Sequence, residues 1–235
     1  MRNPNFAVND FPEQTFVPST RRFTEVELAI PRDLQVADLI EMYVNIEASL
    51  GHRRRMAVQF ASMSPTVGRL QIPLDLAWAA STVLGKRILL LAPVIPSTSL
   101  GSGKKQSRDG APNPMNWQRD FVKITGQEIY LGDLSTWRTG TGSVLPVIEI
   151  ERHLDELSLF FDMIMIAPPP LDYDPLGTVL AGHVDGNIIV IEAEKTRQFA
   201  AIRLREILSR SGQPILGAVL NGQRNYLPRW LARLL

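Results

Sequence analysis

Residues 57–93, AVQFASMSPTVGRLQIPLDLAWAASTVLGKRILLLAP, contain the pattern that decides the fold. An apolar run over 57–61 is followed by a loop of small residues over 62–68, a helical stretch, and a second apolar run over 88–91. Strand, loop, helix and strand in this order build parallel sheets, because two parallel strands need a crossover connection. The segment therefore predicts a parallel sheet with helices on its faces.

The same alternation continues on both sides of this unit. A helix is predicted from Asp33, its N-cap, to Leu50. Downstream, the apolar periodicity predicts strands at 128–131, 161–166, 187–192 and 215–220, and helices at 146–159 and 196–211. Strands that alternate with helices indicate an α/β fold, a doubly wound and mostly parallel sheet flanked by helices.

Composition limits the possible functions. The chain has 235 residues, 45% of them hydrophobic, and a net charge of +1, which gives no indication of a nucleic-acid partner. It has no cysteine, so disulfides and cysteine metal sites are excluded. The three histidines, His52, His153 and His183, lack metal-ligand spacing, and we expect no metal site. Neither a signal peptide nor an apolar run of about 20 residues is found.

The chain divides into three parts. Residues 1–32 are polar and rich in proline, which predicts a flexible N-terminal tail. Residues 33–222 form the α/β domain, with a mobile loop rich in Ser, Gly, Pro and Lys over 96–114 and a solvated basic turn over 51–55. Residues 223–235 are a basic and apolar C-terminal segment.

The loop after the first strand has the position of a phosphate-binding loop. In such loops a G-x-x-x-x-G-K-[ST] motif uses backbone N–H groups and a lysine to hold nucleotide phosphates. Here Gly68 is followed by Arg69 and Leu70, so the lysine and the hydroxyl are both missing. Pro73 lies shortly after the loop, and we expect the helix to begin near Gln71, with the proline in its first turn, away from any phosphate.

Several segments together resemble the bacterial tyrosine kinases of capsule and exopolysaccharide export, of the CpsD/CapB kind in the MinD/ParA superfamily of P-loop NTPases. The loop over 62–70 lies without a gap over that family's S-A-x-P-G-E-G-K-S/T. Residues 89–94 match the aliphatic run of its second Walker motif, and 161–169 match Y-D-x-V-I-I-D-T-P-P. Residues 181–196 and 217–222 also follow the family, and the resemblance covers roughly 33–222.

The departures from the family all affect nucleotide chemistry. The resemblance places the nucleotide-binding positions, in vestigial form, at Ser64, Pro65, Thr66, Val67, Gly68, Arg69, Leu70 and Asn221. The aspartates of the second and third motifs are replaced by Ala92, Val94 and Ala167. Phosphoryl transfer depends on Mg²⁺, its carboxylates and the cradle lysine. We therefore expect no catalytic residue and no cofactor. ATP and Mg²⁺ would bind only if the chain is instead an active kinase.

Several other positions have more than one possible role. Asn221 either reads an adenine base, as in the superfamily, or caps a strand end; Asp185 is a turn residue or a family aspartate, and Thr196 is an N-cap. The family's subunit-joining charges and its C-terminal tyrosine cluster are absent, so neither a ring switch nor a phosphorylated tail is expected. Arg229, Trp230, Leu231 and Arg233 either contact an anionic membrane or a partner, or cover the edge of the core.

The resemblance implies a non-catalytic, pseudokinase-like regulator or subunit of exopolysaccharide or capsule biosynthesis, chain-length control and export. Its partner would be the cytoplasmic part of a membrane polysaccharide co-polymerase of the Wzc/CapA kind, and it would form homo- or hetero-oligomers. We expect it in the cytoplasm or peripherally at the inner membrane. The alternatives are an active or partner-dependent tyrosine kinase or ATPase, and a MinD/ParA-like accessory protein of positioning or cellulose synthesis.

Overall fold

The computed structural model describes residues 36–51, 55–63, 68–93, 121–124, 126–138, 142 and 144–222. The N-terminal tail, the Asp33 cap, the loop over 96–114 and the C-terminal segment lie outside the described residues, as do His52, Ser64 to Val67 and Val94.

The described part of the chain folds into five α-helices, seven strands and one 3₁₀-helix. The helices are α1 (Val36–Leu50), α2 (Gly68–Leu84), α3 (Val147–Leu157), α4 (Leu176–Ala181) and α5 (Gln198–Ser209). The strands are β1 (Ala57–Ala61), β2 (Ile88–Ala92), β3 (Val122–Lys123), β4 (Ile129–Asp133), β5 (Met163–Ile166), β6 (Gly186–Glu192) and β7 (Ile215–Asn221). The 3₁₀-helix is Leu134–Trp137.

All seven described strands join one sheet in the order β3-β4-β2-β5-β1-β6-β7. Every neighbouring pair is parallel except β3 and β4, which are antiparallel. The predicted doubly wound, mostly parallel α/β fold is therefore confirmed. The sequence did not indicate β3, α4 or the 3₁₀-helix, because two to six residues are too few for a hydrophobic period to show.

Among the described helices, α1 and α2 cover one face of the sheet, and α3, α4 and α5 cover the other. Strands β2 and β5 are continuous apolar runs because both of their faces are buried. Within the described residues, no helix combines the length and the apolar character that crossing a membrane would need.

The start of α2 differs from the prediction. We expected it near Gln71, but α2 begins at Gly68 and Pro73 lies inside it. The proline lacks the N–H that would bond to the Arg69 carbonyl, at a cost of about 3 kcal/mol. Helix α2 tolerates this loss because its middle packs into the core, with Ile72 and Leu76 completely inaccessible to solvent. The prediction that the helix N-terminus retreats from the loop is therefore wrong.

Candidate functional site

The candidate site is the edge of the sheet at which the parallel strands end. Here Ser62 and Met63 follow β1, Ala92 ends β2, and Ala167 follows β5. In doubly wound α/β sheets ligands bind outside the carboxyl ends of the strands, so this edge is where nucleotide chemistry would take place. The structure brings together the degenerate positions Ala92 and Ala167, which lie 75 residues apart in the sequence (167 − 92).

The two alanines occupy the centre of this edge. Each is about 1% exposed, and they lie at the ends of the paired strands β2 and β5. The backbone N–H of Ala167 donates a 2.8 Å hydrogen bond to the Leu91 carbonyl, which extends the strand pairing to the last position. Methyl groups therefore stand where the family resemblance would place the carboxylates that hold Mg²⁺.

The loop that follows β5 closes over the start of the candidate phosphate loop. The Leu171 N–H donates to the Ser62 carbonyl at 3.1 Å, and the buried side chains of Leu171 and Met63 belong to one apolar cluster. Asp174, in the same loop, pairs with Arg138 beyond the 3₁₀-helix and accepts a hydrogen bond from the Leu176 N–H at 2.8 Å. The carboxyl end of β1 is thus bordered by apolar side chains, and hydrogen bonds and an ion pair position the loop that covers it.

Leu70 occupies the position of the hydroxyl that would ligate Mg²⁺. Its half-buried side chain packs against the core formed by α1, α2 and the sheet, so it serves packing. Residues 64–67 and the side chain of Arg69 lie outside the described part, although the backbone of Gly68 and Arg69 forms the first turn of α2.

Two carboxylates at this edge were not among the predicted site residues. Asp133 ends β4 beside Ala92, and Glu192 ends β6. Asp133 accepts the Ser135 N–H at 2.8 Å, and Glu192 pairs with Lys195 at 3.2 Å. Three strands separate β4 from β6, which places the two carboxylates about 19 Å apart, too far to share one metal ion. In the sequence, each of these two carboxylates follows an apolar run directly, and this pattern could have identified both as residues at strand ends.

Asn221 ends β7, and Thr196 lies in the turn that follows β6. The Asn221 carbonyl accepts the Ala193 N–H at 2.8 Å, so its backbone closes the end of the strand pair. The predicted N-cap role of Thr196 is wrong, because α5 is capped at Arg197, without a side-chain bond. The Thr196 hydroxyl instead accepts the Glu192 N–H at 3.0 Å, since it lies in the tight turn that follows β6.

Asp185 lies at the opposite edge, immediately before β6. It is 5% exposed, accepts the Ala57 N–H at 2.9 Å and pairs with Arg55 at 3.2 Å. Arg55 also pairs with Asp155 of α3 at 3.0 Å, so the prediction that this arginine sits in a solvated turn is wrong. This buried carboxylate braces β1, β6 and α3 and has no access to a nucleotide at the carboxyl ends.

The histidines of the described part are His153 and His183. His153 stacks beside Trp137 with ring centres 6.0 Å apart, and burial lowers its pKa. His183 bonds to Glu151 at 3.1 Å. Within the described ranges, no three His, Asp or Glu side chains gather in a way that would hold a metal ion.

The fold is similar to that of solved kinase domains and of a cell division protein complex. Over 80% of this chain and 97% of the other, it matches the VpsO kinase domain with a TM-score of 0.54 and 20% identity. The kinase domain of the Escherichia coli tyrosine kinase ETK matches over 82% and 79%, with a TM-score of 0.58 and 12% identity. The MinC:MinD cell division protein complex of Aquifex aeolicus matches over 72% and 69%, with a TM-score of 0.53 and 16% identity.

No protein-family model and no curated protein sequence matches the chain. At identities of 12–20% these likenesses concern the fold. The predicted resemblance to bacterial tyrosine kinase domains and to MinD/ParA-type proteins is confirmed at that level.

Proposed function

We propose that the chain is a non-catalytic, pseudokinase-like regulator or subunit of exopolysaccharide or capsule biosynthesis and export. In this role it acts through binding, with the cytoplasmic part of a membrane polysaccharide co-polymerase as its partner. The support for the biological setting is the order and spacing of the degenerate motifs, together with the likeness in fold to bacterial tyrosine kinase domains.

One observation supports the proposed lack of catalysis. Ala92 and Ala167, both about 1% exposed, end two adjacent strands at the point where phosphoryl transfer needs carboxylates for Mg²⁺. Asp133, which pairs in register with Ala92, already caps the 3₁₀-helix, and Leu70 packs into the core. A nucleotide that entered this edge would find no described group to hold its metal ion.

Isothermal titration calorimetry with ATP and ADP, with and without Mg²⁺, tests this proposal. The ETK kinase domain, measured in the same buffer, is the control that the assay detects binding. We expect no heat for this chain at high micromolar nucleotide and no shift of its melting temperature. Mg²⁺-dependent micromolar binding would overturn the proposal in favour of the partner-dependent kinase, and autophosphorylation would then be measured.

The partner is tested separately. The full chain is mixed with the isolated cytoplasmic part of a co-polymerase encoded in the same gene neighbourhood, and complex formation is followed by size-exclusion chromatography with light scattering. We expect a complex whose formation is independent of nucleotide and Mg²⁺. Binding that required ATP would contradict a regulator without nucleotide chemistry.

A further inference from the structure

Helices α3, α4 and α5 form a layer on one face of the sheet, and its outer surface exposes large apolar side chains. Helix α4 contributes to the apolar clusters of both α3 and α5, so it lies between them. The three most exposed large hydrophobic side chains of the described part belong to this layer. They are Ile148 of α3 and Phe199 of α5, both at 75%, and Tyr173 in the loop before α4, at 71%. Exposed apolar groups of this kind, aromatic ones above all, are typical of protein interfaces.

The two sides of this layer carry opposite charges. Helix α3 has four acidic side chains and one arginine, all at least partly exposed: Glu149, Glu151, Asp155, Glu156 and Arg152. With its two flanking residues, α5 has the reverse composition, four arginines and one glutamate, all exposed: Arg197, Arg203, Arg205, Arg210 and Glu206. Helix α4 between them is uncharged. One side of the layer is therefore acidic and the other basic.

Ion pairs within the layer use only part of this charge. Arg203 of α5 pairs with Asp172, in the loop before α4, at 3.7 Å, and both side chains are exposed. Arg205 and Arg210 take part in none of the described ion pairs, so their charges are available to a partner. Contacts between exposed arginines and carboxylates of two molecules add specificity to an interface.

Helices α3 and α5 run in the same direction. Helix α3 connects β4 to β5, helix α5 connects β6 to β7, and these four strands are parallel. A helix in such a crossover returns from the carboxyl ends of the strands to their amino ends. The first turns of both helices therefore lie at the carboxyl ends, and Ile148 and Phe199 lie there with them.

A surface of this kind is complementary to itself after a half-turn. When a second copy is rotated about an axis parallel to the strands and placed face to face, its basic α5 lies over the acidic α3 of the first copy. Its own α3 then lies over the α5 of the first copy. The rotation preserves the direction of the helices, so Ile148 of each copy lies at the same end as Phe199 of the other. Both contacts form together, which gives a closed two-fold dimer and no filament.

We propose that the layer of α3, α4 and α5 is an interface with a second copy of this chain, in a two-fold dimer that pairs α5 of each copy with α3 of the other. A lipid surface or a nucleic acid carries one sign of charge, so α5 would attract it and α3 would repel it. A second copy presents both signs at the matching positions. The dimer involves neither nucleotide nor the polysaccharide partner, so it can fail while the proposed function holds.

Sedimentation velocity of the full chain over a range of micromolar concentrations measures the dimer. We expect a monomer–dimer equilibrium whose dissociation constant rises about tenfold from low to high salt, because salt screens the facing charges. A chain that stays monomeric throughout this range, a dimer that salt does not affect, or assemblies that grow without limit would each overturn the proposal.

Charge reversal identifies the contact. An acidic variant carries Arg205→Glu with Arg210→Glu, and a basic variant carries Glu149→Lys with Glu156→Lys. Alone, each variant opposes like charges in both contacts, so we expect each to sediment as a monomer. In the mixture, the reversed α5 of one variant faces the reversed α3 of the other, and the two unchanged helices also face each other. We therefore expect a heterodimer, and a mixture that stays monomeric would overturn the proposal.

A matched control excludes general attraction between an acidic and a basic protein. Asp38→Lys with Glu41→Lys changes the net charge as much as the basic variant does, but on the exposed side of α1, across the sheet from the layer. We expect this control to keep the dimer of the natural chain and to bind the acidic variant about tenfold more weakly than the basic variant does. Equal binding by the two would show that net charge alone causes the association.

The apolar contact is tested with Ile148→Ser and Phe199→Ser in one chain. We expect the dissociation constant of the dimer to rise about tenfold or more, because exposed apolar anchors carry much of the binding energy of an interface. Val44→Ser with Val83→Ser, at exposed positions of α1 and α2, is the control and should leave it unchanged. Equal effects of the two variants would contradict the interface. Flotation of the natural chain with vesicles of phosphatidylglycerol and phosphatidylethanolamine, lost in the Ile148 and Phe199 variant, would assign the surface to a membrane and overturn the proposal.

Discussion

Charged side chains are distributed differently at the two ends of the parallel strands. At the amino ends of the strands, carboxylates are paired with arginine and lysine and with backbone N–H groups. At the carboxyl ends, where parallel sheets bind ligands, the central positions are alanine, methionine and leucine. Charges brace the strands at the amino ends, and the described positions that would hold the metal ion, Leu70, Ala92 and Ala167, are apolar.

The amino-end brace involves several elements. Asp185 joins β6 to Arg55 and to the start of β1. Asp162, just before β5, accepts the Arg87 N–H at 2.7 Å, and Lys86 pairs with Glu47 of α1 at 2.9 Å. Each contact joins parts of the chain 39 to 130 residues apart, so this edge fixes the topology. These pairs therefore join distant parts of the chain at an edge that is separate from the candidate nucleotide site.

Removing the brace should have the largest effect. Asp185→Ala leaves the Ala57 N–H and the Arg55 guanidinium without this carboxylate, and we expect the free energy of unfolding to fall by about 3 kcal/mol. Urea denaturation followed by circular dichroism measures it. The control is Asp155→Asn, which removes the more exposed partner of the same arginine and should cost less than about 0.5 kcal/mol. Equal losses in the two variants would show that burial does not distinguish the two carboxylates.

Restoring a charge at the carboxyl ends should destabilise the protein without restoring binding. Ala167→Asp introduces a carboxylate at a position that is 1% exposed, and we expect a loss of about 2 kcal/mol at pH 8. The loss should shrink at pH 5 as the carboxyl becomes protonated. Ala37→Asp, on the exposed side of α1, is the matched control and should have almost no effect. A stable Ala167→Asp variant that bound Mg²⁺ would contradict the apolar character of this edge.

Asp75 contrasts with the paired carboxylates at the amino ends of the strands. It is a buried carboxylate without a positively charged partner among its described contacts. It is 4% exposed, and its described hydrogen bond comes from the Gln71 amide at 2.7 Å. Burial raises the pKa of Asp75 from 3.8 to about 6, against the opposing effect of the Gln71 bond. Between about pH 4 and pH 6 the folded chain keeps a proton that the unfolded chain loses, so stability should fall as pH rises through this window.

The Asp75→Asn variant removes this ionisation. We expect it to be more stable than the natural chain by about 1–2 kcal/mol at pH 7.5 and to match it at pH 4, since the cost of the buried charge exists only above the window. Urea denaturation at both pH values measures this, with the exposed Asp38→Asn as the control. A variant that was less stable at pH 7.5 would indicate an additional partner for the Asp75 carboxylate.

The apolar periods of the sequence predicted most of the described fold. Strand β1 was predicted at its observed bounds, and both ends of β2, β4 to β7, α3 and α5 were predicted to within two residues. The start of α2 was wrong, because a helical preference after Gly68 and the packing of the whole helix outweighed the local cost of Pro73. The degenerate positions Ala92 and Ala167 could be identified because the motif order placed them at strand ends.

The sequence by itself determined the alternation of elements and the absence of lysine, hydroxyl and aspartate at the motif positions, since these depend on local pattern and residue type. The tertiary structure decided which charges meet. It joined Arg55 to Asp185 across 130 positions, closed Leu171 over Ser62, and separated Asp133 from Glu192 by three intervening strands. Contacts of this kind depend on the order of strands in the sheet, which long-range packing fixes and no local window of sequence contains.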